Sequence, residues 1–349
     1  MWAGRQVRRA THSRRRPKPR WAEPPPSRRC SKQPINRGTR VWNPGTNGKQ
    51  REGGSMLKSK RFREVSYAFA IPALLFYCVF FIYPSLQSFY FSMTDWNGMD
   101  PHYRFTGLDN FLGLWNDGRF GAAFRNTIRY AVGLTIGQIV FGLLLAVLVN
   151  RGRRADNWFR TVFFSPQVIS MIAIGYIWSY ILDPINGSLN YLLDWLGLSS
   201  LQQDWLGSFK LAIWSVTGVS VWQGAGWCMV IFLANLQSVP QEYIEAASMD
   251  GATGLQRFRH VILPLLAPAF TITIVTGMIA GLKMFDLVMV MTKGGPGFAT
   301  ESISSIIYNT AFLDNRFGEA TAMGIVMFLI ILVITAIQLW ALNRRGVEA

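Results

Sequence analysis

From about Val65 to Met93 the chain runs without a charged side chain, and comparable apolar runs return five times before the C-terminus. No other feature limits the possible folds as strongly. A helix gains about 1.5 Å per residue, so a run of this length crosses a hydrocarbon core roughly 30 Å thick. The spans are expected near residues 65–93, 128–149, 162–182, 211–236, 265–291 and 320–342, which makes an all-α polytopic membrane protein with six transmembrane helices. Composition agrees: of 349 residues 50% are hydrophobic and 15% charged, and the mean hydropathy is +0.20. Pro72 and Pro84 are expected as tolerated kinks in the first span. That span is too long for a signal-peptide core and lacks a small-residue cleavage site, so it is expected to be retained.

The net charge of +16 would suggest a nucleic-acid partner if it were spread along the chain. It is not. Residues 1–55 hold 15 Lys and Arg against 2 acids, and residues 56–349 hold 20 against 17. The basic excess belongs to a tail rich in Arg, Pro, Ser and Gly, which has too little apolar surface to fold and reads as disordered. No aromatic or helical spacing organises its charges into an arm for nucleic acid or anionic lipid, and Pro-rich sequence follows Arg8-Arg9 where a twin-arginine signal needs an apolar segment. Within Gly48 to Ser55, just before Met56, Arg51-Glu52-Gly53-Gly54 can be encoded by an unbroken G-rich purine run resembling a bacterial ribosome-binding site. The expectation is that synthesis begins at Met56 and that 1–55 is an artefact of gene prediction, with 56–349 forming the membrane domain; intact mass decides it.

Cys30, Cys78 and Cys228 are too scattered for a disulfide framework or a thiolate metal site, and His is as scarce. No metal is expected. The polar loops 95–126, 183–210 and 292–318 carry the turn signals Asn97-Gly98, Thr106-Gly107 and Gly294-Gly295-Pro296, and the second contains a short apolar patch, 189–198, read as an interfacial or re-entrant helix. Basic clusters precede the first span and follow the second, fourth and sixth, so both termini are expected in the cytoplasm.

Between the fourth and fifth spans lies a long polar helical stretch, 240–264. Pro240 suits a first helical turn, with Glu242 and Glu245 at its positive end. Gly251 permits a left-handed turn, and Thr253 with Gln256 forms a capping-box pattern that restarts the helix. Leu255, Phe258, Ile262 and Leu265 then recur on one face, with Arg257, Arg259 and His260 elsewhere. Taken alone, this is an amphipathic helix such as any polytopic protein could carry between spans.

The joint pattern says more. Glu245-Ala246-Ala247, Asp250-Gly251, Val261 and Leu263-Pro264 fall at the spacing of the EAA signature, with Val261 where isoleucine is usual, so the chain resembles the permease subunits of ABC importers. With Phe285-Asp286 and Gly294-Gly295-Pro296, it is similar to the carbohydrate-uptake branch, of the maltose and glycerol-3-phosphate type. The resemblance implies a type I importer fold whose EAA segment is a cytoplasmic coupling helix in the bacterial or archaeal inner membrane. It also implies a second permease subunit in a heterodimer, a dimeric ABC ATPase that uses ATP and Mg, and an extracytoplasmic solute-binding protein docking near Gly294, Gly295 and Pro296. The extra N-terminal spans of the larger maltose permease subunit are absent, so maltose itself is not implied.

No Gly-x-x-x-x-Gly-Lys-Ser/Thr loop occurs in the sequence, so the chain is expected to bind no cofactor and to be no enzyme itself. Candidates for the substrate path are Lys283 and Asp286, expected as a same-face pair on the fifth span, and Trp222, Gln223 and Trp227, whose rings and amide suit a sugar. A structural ion pair and interfacial anchoring by tryptophan explain the same residues. The competing function is an ion-coupled secondary transporter, for which Asp286 is the one strong buried-carboxylate candidate.

Overall fold

The computed structural model describes residues 71–150 and 156–346, with side chains to residue 342. The tail 1–55, the proposed start at Met56, Pro72's upstream neighbours in the first span and the Arg151, Arg153 and Arg154 cluster lie outside the described residues. Within them the chain is helical, with one isolated antiparallel bridge between Thr94 and Phe105.

Helix α1 (Ile71–Phe91) contains a widened π turn, Cys78–Ile82, immediately ahead of Pro84. The kink expected at that proline takes this form, since proline cannot continue the regular hydrogen-bond ladder. Helix α1 turns Leu74, Phe76, Phe80 and Leu86 outward, which suits surroundings of lipid. Two corrections follow at once. The polar stretch 95–126 is not all loop: it holds α2 (Asp109–Asn116) and the beginning of α3 (Gly118–Val149), which starts ten residues before the expected second span. Polar residues conceal the helix there because their partners are distant in sequence. Asp117 caps it by accepting the Arg119 N–H at 2.8 Å, and Arg119, Asn126 and Thr127 are all satisfied by the 298–303 segment.

The third span is not straight. Helices α4 (Asp156–Val168) and α5 (Met171–Ile181) meet at 97°. Pro166 removes the donor that the Val162 carbonyl needs, and the Ser165 hydroxyl donates to that carbonyl instead, at 2.9 Å. The short helix expected at 189–198 is present as α6 (Ser188–Trp195). Helix α7 (Ala212–Ser238) is the most enclosed of the long helices and packs chiefly on α3. Small residues allow that approach: a Cβ at Gly137 would lie 2.6 Å from the Val221 side chain, and one at Gly142 2.5 Å from Cys228.

Helices α8 (Gln241–Met249) and α9 (Gly254–Leu265) precede α10 (Ala267–Leu282), which leaves α9 through a 66° bend at Leu266. The fifth span also ends early: α10 stops at Leu282, and α11 (Asp286–Met291) begins after an irregular turn in which Phe285 has φ −140° and ψ −61°. Likewise 292–318 is not a plain loop, because α12 (Ile303–Leu313) sits inside it with Ile303 and Ile306 buried against Leu114, Phe120 and Met323. Helix α13 (Phe317–Gly346) completes the set, close to the expected sixth span. Among the described residues α1, α3, α7 and α13 are each long and apolar enough to cross a membrane, and the bent pairs α4–α5 and α9–α10 bring the number to six if each pair is one span.

Candidate functional site

Both irregular breaks face the same place. A cavity of about 330 Å³ lies among α3, α4, α5, α7, α10 and α11, lined by Gln138, Gln167, Gln223, Trp227, Thr276, Lys283, Phe285 and Asp286 along with smaller and aliphatic residues. That volume is at the lower end of the range for ligand pockets. Four of the five candidates read from sequence therefore converge: Gln223 and Trp227 from α7, Lys283 and Asp286 from either side of the α10–α11 break. Trp222 does not join them. It turns to a separate apolar groove of about 870 Å³ shared with Phe141, Phe163 and Trp214, and its ring meets Trp178 edge-on at 5.4 Å. Neighbours on a helix point about 100° apart, and that turn carries Trp222 away from the cavity that Gln223 lines.

The expected Lys283–Asp286 pair is also absent. The ion pairs among the described residues are Arg119–Glu301 and Arg316–Glu319. Spacing by three brings side chains together only along a continuous helix, and the helix ends between these two. Both remain exposed on the cavity side, each able to address a solute. Gln138, Gln167 and Thr276 were not singled out from sequence. Gln138 and Gln167 are amides within apolar runs, and that was the available signal.

Backbone freed by a helix break must find partners inside apolar surroundings. At the α4–α5 break the Ile169 carbonyl accepts the Gln223 amide at 3.4 Å. At the α10–α11 break the Met284 carbonyl accepts the Ser302 hydroxyl at 2.6 Å. Gln138 donates to the Ser220 carbonyl at 3.3 Å. Irregular backbone that lines a cavity and is satisfied by side chains is the arrangement by which membrane proteins present polar groups to a solute.

A second candidate surface is the elbow of α8 and α9. The Ala252 N–H bonds to the Ala247 carbonyl at 3.0 Å and the Gly251 N–H to the Ser248 carbonyl at 3.1 Å, with Gly251 at φ +78°, which together close a Schellman turn. The Thr253–Gln256 capping box then restarts the helix. Arg257 donates across the turn to the Ser248 hydroxyl at 2.6 Å and locks the two arms. Glu245, Ala246, Asp250, Gly251 and Pro264 are exposed, and Ala247, Val261 and Leu263 half-buried; no residue from 241 to 265 is buried. Leu255 departs from the expected apolar face and stands 76% exposed, because α9 leans on the bundle only at its far end, where Ile262 and Leu266 meet Val149, Met229, Phe232 and Leu233.

The third candidate, Gly294-Gly295-Pro296, is held inward. Gly294, at φ +89°, is buried against Glu301, and the Thr300 hydroxyl donates to the Gly295 carbonyl at 2.6 Å. Glu301 is itself clamped by Arg119, whose Nε and terminal nitrogen lie 2.9 and 2.6 Å from its carboxylate oxygens. The parts of this turn open to an approaching surface are Lys293, Gly297 and Phe298.

Residues 138–346, which hold the cavity, the elbow and this turn, match the family described as the binding-protein-dependent transport system inner membrane component. The chain belongs to this family. The match covers more than half of the chain, and curated relatives extend it. The probable starch degradation products transport system permease protein AmyD of Thermoanaerobacterium thermosulfurigenes is 36% identical over 81% of this chain and 95% of its own length. The multiple sugar-binding transport system permease protein MsmF of Streptococcus mutans is 33% identical over 78% and 93%. Among solved structures, a chain of a bacterial ABC transporter for import of the acidic polysaccharide alginate superposes with a TM-score of 0.72 at 22% identity, covering 84% of this chain and all of that one. The protein is thus a multi-pass, all-helical transport permease, and its relatives are permease subunits.

Proposed function

We propose that this permease carries a sugar or sugar-like solute into the cell as one subunit of an ATP-driven importer. The observation that carries the reading is the cavity at the two helix breaks, where Gln138, Gln167, Gln223, Lys283 and Asp286 offer amide and charged groups beside the ring of Trp227. Amides and carboxylates answer hydroxyls in both donor and acceptor senses, and an indole face answers the apolar face of a sugar ring. The printed roles of AmyD and MsmF support the solute class.

Force enters at the elbow. A dimeric ABC ATPase, which uses ATP and Mg, docks on the exposed α8–α9 arms around Glu245, Asp250 and Gly251 from the cytoplasmic side, where both termini also lie. Its closure moves the elbow, and Ile262 and Leu266 pass that movement to the core at the ends of α3 and α7. The cavity is completed by a second, non-identical permease subunit, which explains why Lys283 and Asp286 stand exposed in the single chain. A solute-binding protein on the outer side meets the turn at Lys293, Gly297 and Phe298, with Gly294, Gly295 and Pro296 setting its shape. The chain itself binds neither nucleotide nor metal. Proteoliposomes holding the complete transporter are expected to take up a labelled sugar from a panel of glucose, maltose, maltotriose and cellobiose when ATP is enclosed, and not under a sodium or proton gradient alone. Gradient-driven uptake without ATP would instead establish the ion-coupled transporter.

A further inference from the structure

A run of buried polar residues joins the turn at 292–302 to the cavity. Thr300, Glu301, Ser302 and Ser305 are each at most 2% exposed, and polar groups so enclosed cost free energy unless every one finds a partner. Beyond the turn itself and α12, their partners lie in two places. One is the first part of α3, where Arg119, Asn126, Thr127 and Tyr130 recur on one flank of the helix. Arg119 grips the Glu301 carboxylate, and Asn126 donates to the Phe298 and Glu301 carbonyls at 3.2 and 3.1 Å. Thr127 accepts the Ile303 N–H at 3.0 Å, and Tyr130 donates to the Thr300 carbonyl at 3.0 Å. The other place is the α10–α11 break. There the Ser302 hydroxyl donates to the Met284 carbonyl while accepting the Ser305 N–H, at 3.1 Å, at the start of α12.

Met284 belongs to the run Lys283-Met284-Phe285-Asp286, all of which lines the cavity. Because α10 stops before this run and α11 starts at its end, the direction of Lys283 and Asp286 depends on how the backbone between them is pinned. The flank of α3 that holds the turn continues to Leu134 and Gln138, which line the same cavity. At the other end Phe298, 55% exposed, lays its ring over the Arg119 guanidinium at 4.9 Å. Contacts therefore run from an exposed ring through a buried ion pair to the backbone of the cavity. Stability alone does not call for this, since an apolar pair of like volume fills such a place as well. A buried carboxylate also has no half-way state: gripped by its cation it holds the turn closed, and released it must reach water and carry the turn with it.

We propose that Arg119, Glu301 and Ser302 are positioning residues for the cavity. They make the 292–302 turn and the α10–α11 break one unit, so that the state of the turn, open to influence at Phe298, sets the direction in which Lys283 and Asp286 meet the solute. None of the three lines the cavity itself. This inference rests on the sugar reading above and adds to it a control of that site from the turn.

Two measurements on the complete transporter test it. The first is hydrogen exchange with no solute present. Arg119→Lys keeps the charge and loses the two-pronged grip, and Phe298→Leu removes the ring from the guanidinium. Each is expected to speed exchange of the 284–287 amides about threefold or more. Leu114→Ala, which opens space beside Ile303 and Ile306 in the neighbouring core, is expected to leave those amides unchanged. Unchanged exchange at 284–287 in either of the first two variants would overturn the proposal, and so would equal acceleration in Leu114→Ala, which would make the effect one of stability alone. The second is ATP-dependent uptake of glucose, maltose, maltotriose and cellobiose in proteoliposomes. Ser302→Ala is expected to raise KM about tenfold, the size of one buried hydrogen bond, with kcat unchanged, and Ser302→Thr to restore it. Unchanged KM in Ser302→Ala would overturn the proposal and leave the sugar reading standing. If the unaltered transporter takes up none of the four sugars, the sugar reading fails, and exchange alone then upholds or overturns the tie between turn and break.

Discussion

Gly251 sits where a side chain would meet nothing within 4 Å, yet its φ is +78°. Conformation, not space, selects glycine there. A leucine at this position costs about 1–2 kcal/mol in the left-handed region, enough to reshape the elbow and too little to prevent membrane insertion. Gly251→Leu is therefore expected to appear in the membrane at normal level, with ATP-driven uptake sharply reduced, as read by quantitative blotting and transport. Glu245 is exposed on the outer arm; if the proposed ATPase docks there, Glu245→Lys is expected to reduce its co-purification while leaving the permease folded. Asp286 lines the cavity without an ion-pair partner among the described residues, so Asp286→Asn is expected to change KM for the solute with little effect on assembly. The turn at Gly251 and the capping box were readable from residue type because such turns are decided locally. The absence of a Lys283–Asp286 pair was not, because spacing by three carries meaning only where the helix is unbroken.

At the scale of elements, the breaks in the third and fifth spans were hidden by continuous apolar sequence. Apolar runs report burial in lipid or protein and say little about whether the backbone stays straight. The clues were small: Pro166 followed by Gln167, and a lysine beside an aspartate near the end of an apolar run. What stabilises each break is a side chain far away in sequence, Gln223 for Ile169 and Ser302 for Met284. Removing either donor leaves a carbonyl unpaired, at a cost of about 1–3 kcal/mol. Gln223→Leu and Ser302→Ala are expected to lower the melting temperature in detergent and to weaken solute uptake together. The Arg119–Glu301 clamp joins α3 to the turn before α12, with the Glu301 side chain 3% exposed. Arg119→Ala leaves a buried carboxylate without its cation, a loss of about 3–5 kcal/mol, and the expected result is a larger fall in thermal stability than either break variant gives. The unexpected start of α3 at Gly118 follows from this same clamp, since its polar first turns are paired only once the chain has folded back on itself.

At the scale of the whole molecule, apolar length and composition were enough to give the all-helical membrane class, and the 240–264 pattern gave the family to which residues 138–346 belong. What the sequence could not convey was convergence: amides from α3, α4 and α7 meet at one cavity because two spans bend around it, and Trp222 is turned away from its neighbour Gln223 by helical geometry. Under the proposed function the exposed elbow receives force and the polar cavity holds solute, and the packing of Ile262 and Leu266 on the core lies between them. The direct test is simultaneous measurement of ATP hydrolysis and sugar uptake in proteoliposomes holding the complete transporter, with and without Gly251→Leu. Uptake in the unaltered transporter is expected to rise and fall with hydrolysis, and Gly251→Leu to leave hydrolysis running while uptake is lost. Uptake that continues unchanged in Gly251→Leu, or that proceeds without ATP, would contradict the proposed function.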